Sequence, residues 1–422
     1  MVKFGKGVVK CRILILVLGI LLLIPSLFGM LSTRINYDML TYLPEDMDTV
    51  KGQNILLDDF GKGAFSMVVV EGMEPKNVSA LKEKIQQVDH VESVIWYDSL
   101  MDLSVPMEVL PEKYYDAFND GDATVMAVFF DTSTSADETM DAITQIRRIT
   151  EGQCFVSGMS AMVTDLKSLC EQEEPVYVGL AVLFATIAMM LFLDSWILPF
   201  LFLASIGMAI LYNLGSNFML GEISYITKAL AAVLQLAVTM DYSIFLWHSY
   251  SEEKINFNGD KKEAMAHAIA NTITSVVGSS ITTIAGFIAL CFMSFTLGWD
   301  LGIVMAKGVL LGVICCVTIL PSLILILDRP LEKTMHRALL PNMSGLAKFI
   351  TKHAWVFLAV FLVLVGPALY GYSNTKMYYD FSESLPQDLD YVIANTKLKD
   401  HFDISTTHMI LADSKMAAKD AQ

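Results

Sequence analysis

The sequence predicts a polytopic α-helical membrane protein of about seven spans that carries an extracytoplasmic α+β domain. Three observations predict it. Seven apolar segments meet or approach the length that crosses a bilayer. One long polar segment alternates strand-like and helix-like patterns. A stretch near the C-terminus repeats the opening of that polar segment.

Composition sets the frame. The chain has 422 residues, 54% of them hydrophobic, and a mean hydropathy of +0.51. That apolar share exceeds the roughly 45–50% of soluble domains. The net charge of −16 and a pI near 4.8 exclude a nucleic-acid partner, which needs a basic patch to neutralise phosphates. Of six cysteines, Cys11, Cys291, Cys315 and Cys316 lie in apolar runs, where a thiol behaves as a small hydrophobe. Cys154 and Cys170 fall in the polar segment, and their spacing leaves a disulfide open. No C-x-x-C, H-E-x-x-H or Gly-rich phosphate loop with its Lys occurs, so no metal, cofactor or ATPase activity is expected. Nor do the scattered acids, serines and histidines form a triad-like pattern, so no enzyme is expected.

A span needs about 20 mostly apolar residues to cross about 30 Å of hydrocarbon. The segments 11–31, 176–193, 196–215, 223–248, 268–293, 301–327 and 353–372 qualify. Lys3, Lys6, Lys10 and Arg12 make a basic entry to the first, which reads as an uncleaved anchor because no small-x-small cleavage site follows it. Lys254, Lys261 and Lys262, and then Arg329, Lys333, Arg337, Lys348 and Lys352, fall on the same side as the N-terminus if every span crosses. Short basic loops mark the cytoplasm, which places 33–174 outside. Membrane lipids are the expected surroundings.

The outer segment reads β-α-β-(α)-β-α-β. The strands are Phe65 to Val70, Val91 to Tyr97, Ala123 to Phe130 and Cys154 to Ser157, with helix patterns over 76–87 and 136–150. That order is a split βαβ, ferredoxin-like unit. Trp96, Tyr97, Tyr114 and Tyr115 read as core or surface aromatics, with lipid-like cargo the sharper alternative.

The internal repeat is the strongest organisational feature. Tyr37-Asp-Met-Leu-Thr-Tyr-Leu-Pro-Glu-Asp-Met-Asp follows the first span, and Tyr379-Asp-Phe-Ser-Glu-Ser-Leu-Pro-Gln-Asp-Leu-Asp follows the seventh, offset by 342 residues without a gap. The match continues weakly through Phe60 and Phe402 to Met67 and Met409. Parallel repeats of a span plus an outer domain build many transporters. The divisions are therefore a tail and first span (1–32), an outer domain (33–174), a five-span bundle (175–328), a cytoplasmic loop (329–352), a seventh span (353–372) and the start of a second outer domain (373–422). By this period a second half of roughly 260 residues would follow, so the chain reads as an incomplete half.

Asp241 lies well inside the fourth span. A carboxylate at a span's centre costs about 2.5–3.5 kcal/mol on insertion scales, so such acids usually mark a proton or ion path. Tyr242 follows it, about 100° round the helix, and so contacts a neighbouring span rather than Asp241. The structural alternative pairs Asp241 with Lys228 or Lys307. Lys228, roughly 20 Å along the same axis, is out of reach, and Lys307 can snorkel outward. His248, seven residues on, shares the Asp241 face, as a candidate proton exit or a plain interfacial histidine. The fifth span is rich in hydroxyls, among them Ser279 and Thr283, which read either as a proton path or as close helix packing.

With these residues on the page, the chain resembles the resistance-nodulation-division (RND) superfamily, and within it the MMPL-type (mycobacterial membrane protein large) transporters. The run from Ala237 to Glu253, with its Asp-Tyr pair, is similar to that family's fourth-span signature. Glu263 to His267 and Ser280 to Phe287 are similar to its fifth-span entry. Ala237 and Thr239 stand where the family commonly has Gly, which puts a tight helix contact there in doubt. The resemblance implies proton-driven export of lipids, drugs or other hydrophobic or amphiphilic substrates through outer porter domains. It implies that Asp241 and Tyr242 take up protons, and that a second half or an oligomer completes the site with a matching Asp-Tyr pair. Two other readings compete. One is a SecD/SecF-like protein-translocation accessory, and the other is a non-transporting lipid-sensing module resembling a sterol-sensing domain.

Overall fold

The computed structural model describes residues 1–99, 112–150, 152–336, 344–376, 385–404 and 411. The opening is helical: α1 (Val2–Lys10) leads into α2 (Arg12–Ser32), the first span. Then come β1 (Arg34–Asn36), α3 (Asp48–Asp58), β2 (Ala64–Glu71), α4 (Pro75–Gln86), β3 (Val91–Ile95), α5 (Glu112–Phe118), β4 (Asn119–Asp120), β5 (Ala123–Phe130), α6 (Asp137–Thr150) and β6 (Cys154–Ser157). The bundle follows as α7 (Met159–Phe192), α8 (Leu198–Gly215), β7 (Glu222–Ser224), α9 (Tyr225–Asn256), α10 (Lys261–Leu290) and α11 (Leu297–Ile326). Last come α12 (Asp328–Lys333), α13 (Ser344–Lys352), α14 (Ala354–Asn374) and α15 (Asp390–Phe402).

The α/β domain is an antiparallel sheet of spatial order β3-β5-β2-β6, with β4 pairing beside β5. Successive strand residues point to opposite faces, and both faces are covered. Val68, Val70, Met126 and Val128 pack under Val78, Leu81 and Ile85 of α4 and Ile143 and Ile146 of α6. Val69 and Val125 on the other face meet Leu398 of α15, with Phe402 packed alongside. Pro75 opens α4 at its first turn, where the missing N–H breaks no helical bond.

Among the described residues, seven helices are long and apolar enough to cross a membrane: α2, α7, α8 with its following turn, α9, α10, α11 and α14. All seven expected segments are matched. The largest departure is at the second. There α7 begins in the α/β domain and runs 34 residues through Pro175, where the sequence reading set the domain boundary at 174. A proline removes one backbone bond but does not stop a helix held at both ends by packing. Likewise α9 runs on past its apolar core through Glu252, Glu253 and Lys254, and α10 begins ahead of its own on a capped, charged turn. Ser224 Oγ caps α9 at Ile226, and the Asp260 carboxylate caps α10 at Lys262 and Glu263.

The tail is not a mere basic flank. In α1, Val8 and Val9 join the core of the bundle and Lys6 pairs with Glu263 at 3.0 Å. The expected repeat falls partly outside the described residues, at 379–384 and at Met409. Its described part is α15, the 342-offset counterpart of α3. Cys154 and Cys170 are both free thiols, so the disulfide does not form here. Trp96 is fully buried and donates Nε1 to Thr124 Oγ1 at 2.8 Å, and Tyr97 packs edge-on to it, so both are core.

Candidate functional site

Helix α9 packs against α8, α10 and α11 and leaves one stripe open. Leu230, Leu234, Ala237, Asp241, Phe245, His248 and Glu252 are exposed along it at steps of three and four. That spacing is one helix face. Asp241 sits near the midpoint of α9, and its carboxylate meets no hydrogen-bond or ion-pair partner among the described residues.

Tyr242 is turned the other way. It is buried in the main core of the bundle with Leu246, Leu198 and Phe202, as the 100° step requires. His248 shares the Asp241 stripe and is exposed. Ser279 is exposed and Thr283 half-buried on α10, the neighbouring helix. Their hydroxyls donate to their own helix, Ser279 to Val276 O at 3.1 Å and Thr283 to Ser279 O at 3.1 Å. The structure thus brings Asp241 and His248 onto one face, turns Tyr242 into the core, and links neither Ser279 nor Thr283 to Asp241 by a hydrogen bond.

The two lysines weighed as partners are engaged elsewhere. Lys228 pairs with Glu174 of α7 at 2.7 Å, and Lys307 donates to Asn217 Oδ1 at 2.6 Å, beyond the end of α8. A third acid, Asp300 at the start of α11, is 4% exposed and accepts from Ser224 N at 2.8 Å and Thr227 Oγ1 at 2.7 Å. Among these ionisable groups of the spans, Asp241 stands without such support.

The close helix contact expected to be weakened by Ala237 and Thr239 is supplied from the other side. Thr239 is buried against Gly312 of α11, where an added Cβ would stand 2.5 Å from Thr239 Oγ1. The sequence reading also passed over Asn213 and Gln235, buried inside the bundle and bonded to each other at 3.0 Å. Amide side chains in the third and fourth spans were the available signal.

At the far end from the α/β domain, charges tie the helices together. Lys254 and Lys261 both reach Glu332 of α12, at 2.9 and 2.8 Å, and Lys261 also pairs with Asp328. The hydrogen bonds from Lys261 and Lys254 pull the Glu332 carboxyl down to about 2. In the α/β domain, a cleft of about 770 Å³ opens between α3, β2, the start of α7 and α15, lined by Ile55, Leu56, Phe65, Met159, Tyr391 and Leu398 among others.

The model of the MMPL family matches residues 71–364. A Methanocaldococcus jannaschii protein named as a membrane protein is 23% identical over 76% of this chain and 93% of its own length. A Mycobacterium tuberculosis protein named as a transport protein, MmpL9, is 24% identical over 68% of this chain, and the siderophore exporter MmpL5 of that organism is 27% identical over 46%. This chain spans 31% and 21% of the lengths of those two mycobacterial relatives. Among solved structures, SecDF superimposes over 78% of this chain and 39% of its own with 13% identity and a TM-score of 0.38, too low to carry an argument.

Proposed function

Because this chain belongs to the MMPL family, we propose that it serves proton-driven export of hydrophobic or amphiphilic substrates, lipids or drugs, across the cytoplasmic membrane. Membership in a transporter family already supports a transport role rather than an enzymatic one. In the proposed orientation the N-terminus is cytoplasmic and the α/β domain, read as a ferredoxin-like porter domain, is extracytoplasmic. The antiparallel order β3-β5-β2-β6, with α4 and α6 on one face, supports that reading of the domain.

One observation carries the proton assignment. Asp241 is a carboxylate at mid-span, on an open face of α9, with no partner among the described residues. Left facing lipid it costs about 2.5–3.5 kcal/mol; facing a second bundle, it becomes one wall of an interior site. That second bundle is a further transporter half or a second copy. Asp241 takes a proton from outside and releases it inside, and each crossing is worth about 2.3 kcal/mol per 100 mV. Tyr242 anchors this part of α9 in the core and so sets which way Asp241 faces. His248 continues the path toward the cytoplasm on the same stripe, and Ser279 and Thr283 offer hydroxyls on the adjoining helix. The cleft beside α3 and α15 offers apolar walls to the acyl or aromatic part of a cargo.

The test uses membrane vesicles from the native cells, with proton uptake read by a pH-sensitive dye and efflux read on a fluorescent phospholipid. Asp241→Asn abolishes both at unchanged expression. Proton uptake equal to that of the unsubstituted protein overturns the assignment.

A further inference from the structure

The buried side of α9 carries a second polar feature, facing away from Asp241. Helices α9 and α11 keep one constant register: Thr227 meets Asp300, Gln235 meets Gly308 and Thr239 meets Gly312. Steps of four residues hold these positions on one stripe of each helix, so the two helices run side by side in the same direction. The glycines admit the polar side chains. A Cβ on Gly308 would stand 2.6 Å from Asn213 Nδ2 and 3.0 Å from Gln235 Oε1. Beside Gly308, Lys307 donates Nζ to Asn217 Oδ1 at 2.6 Å.

Asn213, Asn217, Gln235 and Thr239 are each 2% exposed or less. Four of their atoms meet no hydrogen-bond partner among the described residues: Asn213 Oδ1, Asn217 Nδ2, Gln235 Nε2 and Thr239 Oγ1. Hydrocarbon offers no partner, and buried polar groups in spans are satisfied from within. The set mixes donors with acceptors, and it adjoins an ammonium whose hydrogen-bonded partner is a neutral amide. A cation is repelled by Lys307. An anion suits Nζ, Nε2 and Nδ2 but leaves Asn213 Oδ1 unserved. Water donates and accepts, and so answers every member.

We propose that the seam between α8, α9 and α11 is an internal hydration site, in which a short file of ordered waters joins Lys307 and Asn217 to the Asn213–Gln235 pair and on to Thr239. The waters solvate an ammonium at span depth. The site lies across α9 from Asp241 and stands whether or not Asp241 carries protons.

Hydroxyl-radical footprinting of the full chain in lipid nanodiscs tests it, because radicals made from bound water mark the buried side chains beside it. Met305 lies three residues before Gly308 on α11 and Cys316, itself part of the main core, lies four after Gly312; they are 3% and 1% exposed, while Met189 and Met265, elsewhere in the main core, are 1% and 0% exposed. Met305 and Cys316 are expected to be oxidised several-fold faster than Met189 and Met265. Gln235→Leu and the near-isosteric Thr239→Val, each checked by thermal unfolding, are expected to lower that rate several-fold. Equal, slow labelling of all four residues in the unsubstituted protein overturns the proposal, and so does labelling that both variants leave unchanged.

Discussion

The α/β domain and the open face of α9 treat their carboxylates in opposite ways. In the domain, buried or half-buried ions are held from several directions. Arg147 grips Asp165 through both terminal nitrogens, Asp165 also accepts from Tyr391 N at 2.7 Å, and Lys397 reaches both oxygens of Glu71. In the bundle, Asp241 has no partner among the described residues and looks away from the core. The contrast separates two uses of a carboxylate. One that is surrounded by donors holds the fold, and one that is left without them adds nothing to it.

If that contrast is right, the largest loss of stability comes from breaking a held pair. Arg147→Met leaves Asp165 buried without its cation, and removal of one partner of a buried pair costs about 3–5 kcal/mol. Chemical unfolding of the variant reads the loss, and a change within error would erase the distinction.

Next is the seam. Gly312→Val forces a side chain into the space of Thr239 Oγ1, and overpacking of this kind costs about 1–3 kcal/mol. Thr239→Ala in the same chain is expected to restore part of the thermal midpoint. No rescue would mean that the two residues do not share the contact.

A smaller and pH-dependent effect belongs to the clasp of α15. His401 reaches Asp120 through Nδ1 at 2.9 Å and Glu71 through Nε2 at 3.0 Å. Both acceptors are carboxylates, so both ring nitrogens donate only when the imidazole is protonated. The bond to Asp120, aided by Glu71, raises the His401 pKa above 6.5. Stability from a raised group is fully present below its unfolded value of about 6.5 and is lost as pH climbs through the folded value. Burial pushes Glu71 up, but the bonds from Lys397 and His401 outweigh it and leave Glu71 below 4.5. Its contribution is present above the unfolded value of about 4.5 and fades as pH falls through the folded one. The clasp is therefore firmest between these limits, with Lys397, Asp120 and Glu71 as the charges facing His401. The protection factor of α15, its exchange corrected for the intrinsic base-catalysed rate, is expected to fall from pH 6 to pH 9, and His401→Gln to remove that dependence. A flat profile in the unsubstituted protein would end the idea.

The smallest stability effect is expected at Asp241, the residue proposed to carry the proton. Asp241→Asn breaks no hydrogen bond or ion pair among the described residues, so its loss of stability is expected to fall well short of that of Arg147→Met. A loss as large as that of Arg147→Met would mean that Asp241 is structural after all.

Much of this was legible in the chain itself. The seven spans were, because crossing hydrocarbon demands a run of apolar residues that little else in a protein produces. So were the strands of the α/β domain, whose Val-rich runs alternate with helix patterns. Asp241 and His248 could be put on one face from their seven-residue spacing, and Tyr242 could be turned from it, because helical geometry is local.

Only the tertiary structure decided which face was open. Nothing within α9 says that its neighbours cover Tyr242 and leave Asp241 bare. Nor does α15 announce that it will close the second face of a sheet whose last strand ends more than 230 residues earlier. The pairing of Gln235 with Gly308 and of Thr239 with Gly312 is likewise a matter of register between two helices. Local propensity and hydropathy are properties of short stretches, so sequence alone determined the elements and the atoms capable of chemistry. Contacts between distant stretches depend on the summed fit of whole surfaces, and that sum exists only once the chain is folded.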